Sequence, residues 1–181
     1  LRAHLERRGL TVCVTREPGG TALGERVRAW VLDADLSLTA GAELCLMFAA
    51  RAQHVHEVIA PALAAGTWVL CDRYVDASYA YQGGGRGLGS RAVAALDRAL
   101  ALPRPDLTLV LDLPPALGRA RAAARAPADR FERERDAFFA RARGVYRRRA
   151  KADPARFRVV DARADVAAVT AALTAHLDAL A

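Results

Sequence analysis

Four short apolar runs alternate along the chain with longer stretches in which apolar residues recur every three or four positions. The runs are Leu10–Val14, Thr67–Cys71, Leu107–Leu111 and Phe157–Val160. They are rich in Val and Leu with little polar alternation, the pattern of strands covered on both faces in a parallel sheet. Helical periodicity covers Ala22–Leu32, Thr39–Leu63, Ser90–Ala101, Ala116–Ala126, Asp136–Lys151 and Asp165–Leu180. Pro61 falls inside the longest of these and predicts a kink or an early end there. Strands alternating with helices predict an α/β fold with right-handed crossovers, in one domain over residues 1–181. Leu1–Arg8 reads as the last turns of an amphipathic helix closed by Gly9. An α/β chain ordinarily opens on a strand, so this beginning predicts an N-terminally incomplete domain.

Composition narrows the class. At 53% hydrophobic and 26% charged residues, the chain is too apolar for a disordered tail. No run approaches the length of a membrane-spanning helix, and no secretory leader is visible, so no membrane partner is expected. Cys13, Cys45 and Cys71 form no CxxC pair and read as buried, reduced thiols in a cytoplasmic protein. The histidines show no zinc-ligand spacing. The net charge is +7, and it is uneven. Between Arg119 and Arg158, thirteen arginines and Lys151 stand against five acids. Such a segment suits a phosphate-bearing ligand or a nucleic acid, or else a set of solvated helix faces.

Candidate chemistry sits just after the strands, where open α/β sheets bind ligands. Thr15-Arg16-Glu17-Pro18-Gly19-Gly20-Thr21 offers an acid, a base and a Gly-Gly turn into a helix. Asp72-Arg73-Tyr74 repeats the acid–arginine pairing. Asp72 occupies a common position for organising magnesium or its waters, and Arg73 can fork onto a phosphate. In Tyr79–Gly87, Gln82 can read a base edge, and the glycines permit close backbone approach. Phe48 and Arg51 lie three apart on one helix face, suited to stacking a base while holding a phosphate. Phe48 taken alone is more simply a core residue. Arg119, Arg121, Arg125 and Arg130 follow the third strand, and Pro127 should break the helix there, leaving a flap that can close over phosphate.

Together the segments TREPGGT, LMFAARAQH, CDRYVDASYAYQGGGRG, RPDLTLVLDLP and DRFERE resemble bacterial thymidylate kinases, in the order and spacing of that family and over nearly the whole chain. The resemblance implies a three-layer P-loop nucleoside-monophosphate kinase fold with a parallel sheet and a helical lid over residues 119–132. It implies transfer of the ATP γ-phosphoryl group to dTMP with Mg²⁺, in a cytoplasmic homodimer that uses no nucleic acid. Residue by residue, it implies that Glu17 lies beside the monophosphate and Arg28 beside the sugar and phosphate. Phe48 would stack on thymine, and Arg51 and Arg73 would clamp the dTMP phosphate. Ser78 and Gln82 would hydrogen-bond the base, and Tyr81 would pack on the deoxyribose. Arg125 would be the lid arginine that reaches the transferred phosphoryl, with Arg121 and Arg130 as companions. Arg125, Arg73, Glu17 and Asp72 make up the implied catalytic set.

The family opens with a strand and a GxxxxGK[ST] loop around the ATP phosphates, and no GK[ST] occurs in this sequence. The expectation is a chain without the central first strand and without residues of the ATP cradle, inactive by itself. Two other readings compete: a non-catalytic nucleotide- or nucleic-acid-binding remnant of such a kinase, and a kinase of other nucleosides or nucleotides on the same fold.

Overall fold

The computed structural model describes residues 1–124 and 129–180. In chain order, the elements are α1 (Arg2–Arg7), β1 (Val12–Arg16), α2 (Ala22–Leu32), α3 (Ala40–His54), α4 (Ala60–Ala64), β2 (Trp68–Asp72), α5 (Val75–Ser78), α6 (Gly89–Ala99), β3 (Thr108–Asp112), α7 (Pro115–Ala123), α8 (Asp136–Ala152), β4 (Phe157–Asp161) and α9 (Val166–Asp178). The four expected strands are present; the first three are shifted one or two residues toward the C-terminus, and the fourth starts where expected and runs one residue longer. β1 therefore carries Thr15 and Arg16, and β2 carries Asp72.

The strands pair in parallel as β1–β2 and β3–β4. The first register sets Arg16 beside Asp72, and the second sets Asp112 beside Asp161. Among the described residues no ladder joins the two pairs. A cleft of about 530 Å³ is lined by Trp68–Cys71 along β2, by Pro103–Leu107 ahead of β3, and by Leu177 and Leu180. Helix α1 is tied to the far end of the chain, because His4 and Arg8 both reach the Asp178 carboxylate on α9.

Two segments depart from the regular helical pattern in the same way. Between α3 and α4 the backbone widens into a π-turn over Val55–Ile59. Pro61 lacks an N–H and its ring would strike the carbonyl one turn earlier, so a wider turn lets the chain stay helical through it. A second π-turn, Tyr79–Gly85, continues α5, and the Arg86 N–H closes it onto the Tyr81 carbonyl. The glycine-rich run is thus buried helix. Its glycines serve close approach, but to α8 rather than to a ligand. A Cβ on Gly85 would stand 2.4 Å from the Phe138 ring, and one on Gly84 would stand 2.5 Å from Val145.

The main core joins α3, α5, the glycine turn, α6 and α8 through Leu44, Phe48, Val75, Tyr79, Ala80, Val93, Ala142 and Val145. A buried ionic knot adds direction to this packing. Asp76 on α5 accepts from Arg156 before β4 at 2.6 Å and from Arg149 on α8 at 2.7 Å, and it also accepts from the Thr108 hydroxyl on β3.

Candidate active site

A cavity of about 890 Å³ opens beyond the carboxyl ends of β1, β2 and β3, where an α/β sheet places its ligand. Seven residues singled out from the sequence line it: Glu17, Arg28, Asp72, Arg73, Tyr81, Gln82 and Arg119.

Arg73 directly follows β2 and adopts φ +69°, a left-handed backbone that costs a side-chain-bearing residue energy. Its guanidinium carbon lies 5.2 Å from the centre of the Tyr81 ring, which steadies the cation. Asp72 lies alongside. On β3, Asp112 accepts both ends of the Arg143 fork at 2.6 and 2.8 Å. That hydrogen bond above all holds the Asp112 carboxyl below its usual range, against a smaller upward push from burial. Burial raises the phenol of Tyr146, also on the cavity wall, so it remains neutral.

From Glu17 on the wall a closed, buried network runs inward. Glu17, 3% exposed, receives the Arg51 Nε at 2.6 Å on one oxygen and faces His54 Nδ1 at 3.0 Å with the other. Arg51 also donates to the Ser78 hydroxyl and the Tyr74 carbonyl. His54 Nε2 meets the Thr15 hydroxyl at 2.6 Å. The effect is to brace the strand-end loop that carries Glu17 and Pro18 against α3.

This geometry corrects several expectations. Arg51 and Ser78 are fully buried and engaged with each other, so neither reaches the cavity as described. Phe48 shares a face with Arg51, whose guanidinium lies 4.8 Å above its ring, but that face points into the core. The α3 residue on the cavity wall is Met47, packed in an apolar cluster with Val27, Val31 and Phe131. Arg121 turns away and donates to the carbonyls of Ala162 and Arg163 beyond β4. Arg130 is fastened inward, to the Val31 carbonyl and the Glu43 carboxylate. Arg125 lies outside the described residues.

Sequence reasoning gave no site role to Met47, Asp112, Phe131 or Arg143, all of which line the cavity. Asp112 carried the same signal as Asp72, an acid ending an apolar strand. Phe131 packs edge-on to Tyr81 at 5.8 Å.

Two groups of side chains invite comparison with a cation site. Glu17, His54 and Cys71 bring an oxygen, a nitrogen and a sulfur within 4.8 Å of one another. Every one is already engaged: the Cys71 thiol donates to the Arg73 carbonyl at 2.9 Å, and burial pushes its pKa upward. This set does not suit a hard cation. Asp72 offers carboxylate oxygens on the cavity wall and does suit one, whereas both oxygens of Asp112 are held by Arg143.

Known proteins resemble the chain in sequence and in fold. The family model described as Thymidylate kinase matches residues 1–173. A thymidylate kinase of Pseudomonas savastanoi is 55% identical over 182 residues, covering 99% of this chain and 87% of that protein. One from Pseudomonas putida strain W619 is 53% identical, covering 98% and 86%. The crystal structure of thymidylate kinase from Ehrlichia chaffeensis superposes with a TM-score of 0.74 at 29% identity, over 93% of this chain and 80% of that one.

Proposed function

The chain belongs to the thymidylate kinase family, has its P-loop nucleoside-monophosphate kinase fold and its phosphotransferase function toward dTMP, and from that premise we propose which side chains do the work. The observation that carries the reading is one cavity holding both a base-reading amide, Gln82, and a phosphate-sized cation, Arg73.

dTMP would enter with its base between Met47, Phe131 and Gln82 and its phosphate toward Arg73 and Arg28. Tyr81, held edge-on by Phe131 and lying under the Arg73 guanidinium, would form the wall along the sugar. Arg73 would place the phosphate for in-line attack, and positioning together with charge stabilisation dominates phosphoryl transfer. Glu17, Arg51, Ser78 and His54 would keep the Glu17–Pro18 loop in place from behind. ATP would be the phosphoryl donor. Asp72 would hold Mg²⁺ or its waters, and the ion when bound would offset negative charge on the phosphates. Arg125, from the lid, would meet the transferred group. The family resemblance further implies a homodimer in the cytoplasm, without nucleic-acid or membrane partners. No described helix is long and apolar enough to cross a membrane.

The test is steady-state kinetics of Arg73→Ala with dTMP as the varied substrate. Loss of a charge-assisted clamp should cost about 2–4 kcal/mol in kcat/KM. An unchanged kcat/KM would remove Arg73 from the site.

A further inference from the structure

Glu43 is a carboxylate on α3 with no solvent exposure, and the phosphoryl-transfer chemistry makes no use of it. It accepts three hydrogen bonds, two from the glycine turn and its closing residue and one from Arg130. The Gln82 side-chain nitrogen lies 2.8 Å from Oε1, and Arg86 Nε and Arg130 Nη2 lie 3.0 and 2.6 Å from Oε2. Arg130 is itself anchored to the Val31 carbonyl, and Arg86 to Glu134, so the carboxylate has little freedom to turn.

The consequence falls on Gln82. A carboxamide has a donor end and an acceptor end, and its direction is set by its neighbours. A carboxylate offers only lone pairs, so the end turned toward Glu43 is the NH₂. The other end, Oε1, is buried and has no hydrogen-bond partner, on a residue that lines the cavity. A buried carbonyl without a partner is destabilising, and what it lacks is a donor.

We propose that Glu43 is a positioning residue that locks the Gln82 amide with its acceptor end free. It thereby restricts the site to nucleobases that present a ring N–H on that edge. Thymine carries such a proton on N3. Cytosine carries a bare ring nitrogen at the same place, and two lone pairs would then face each other without a proton between them. The proposal rests on the reading of the cavity as the dTMP site. It differs from that reading in assigning the discrimination to a residue that never touches the ligand.

Glu43→Gln tests it. The replacement has nearly the same size but can either donate or accept, so the Gln82 amide is released to turn over. Calorimetric titration of the wild type and Glu43→Gln with dTMP and with dCMP gives the readout. The wild type should prefer dTMP. In the variant, dTMP binding should weaken and dCMP binding should improve, narrowing the preference about tenfold or more. A merely structural role would weaken both ligands by the same factor and leave the ratio where it was, which overturns the proposal but not the dTMP reading. A wild type that binds the two alike would overturn both. Should Glu43→Gln fail to fold, the side-chain amide protons of Gln82 can be followed by NMR in the wild type, assigned by their loss in Gln82→Ala. They should be protected from exchange in the free protein and remain so when dTMP binds. Fast exchange in the free protein, or protection that appears only with dTMP, would contradict the lock.

Discussion

Met47 and Phe48 are neighbours on α3, yet one faces the cavity and the other the core. A helix turns about 100° per residue, so one step is enough to change sides. The motif around them showed that this turn of α3 matters, but nothing in the local sequence decides which residue of the pair faces outward. That depends on where the glycine turn and α6 press against the helix. The expected outcome is a clean separation between the two. Phe48→Ala should lower stability by about 3–5 kcal/mol, seen in denaturant unfolding. Met47→Ala should lower thymidine affinity with a smaller change in stability. If Phe48→Leu folded normally but lost thymidine binding, the core assignment would be wrong. Asp72, Arg73 and Gln82, by contrast, were legible because their chemistry stands out against apolar strands and glycines.

At the level of elements, the strands and most helices follow from periodicity, whereas the two π-turns do not. The glycine run reads as a loop because glycine disfavours helix. It is helical here because α8 lies so close that no side chain would fit. The knot at Asp76 was equally hidden, since its partners Arg149 and Arg156 are 73 and 80 residues away. Burial pushes the Asp76 carboxyl upward, but Arg156 and Arg149 outweigh it and hold the group below its usual value. A lowered carboxylate stabilises the fold above its unfolded pKa of about 3.9, and that contribution fades as pH falls through and below this value. Asp76→Asn should cost about 3–5 kcal/mol near neutrality, because Arg156 stays buried without its counter-charge. Between pH 5 and 3 the wild type should lose stability more steeply than the variant. Parallel slopes in urea titrations would show that Asp76 is not the linked group.

For the molecule as a whole, the basic stretch from Arg119 to Arg158 raised a nucleic-acid reading that the structure accounts for differently. Arg119, Arg143, Arg149 and Arg156 pair with acids, and Arg121, Arg141 and Arg158 donate to backbone carbonyls. Composition records the charges but not these long-range partners, so the excess looked freer than it is. Arg133, Arg135, Arg147, Arg148 and Lys151 remain exposed at the surface. In the proposed site Arg73 and Arg28 would take the phosphate and Gln82, Met47 and Phe131 the base, all five on the wall of one cavity. That division of labour is the central claim, and calorimetry with thymidine and dTMP on Arg73→Ala and Gln82→Ala tests it most directly. Thymidine has the base and sugar but no phosphate. Arg73→Ala should leave thymidine binding within about twofold while weakening dTMP by about tenfold or more, and Gln82→Ala should weaken both ligands by similar factors. If Arg73→Ala weakened thymidine as much as dTMP, or if Gln82→Ala left thymidine binding intact, the assignment of base and phosphate to these two residues would be contradicted.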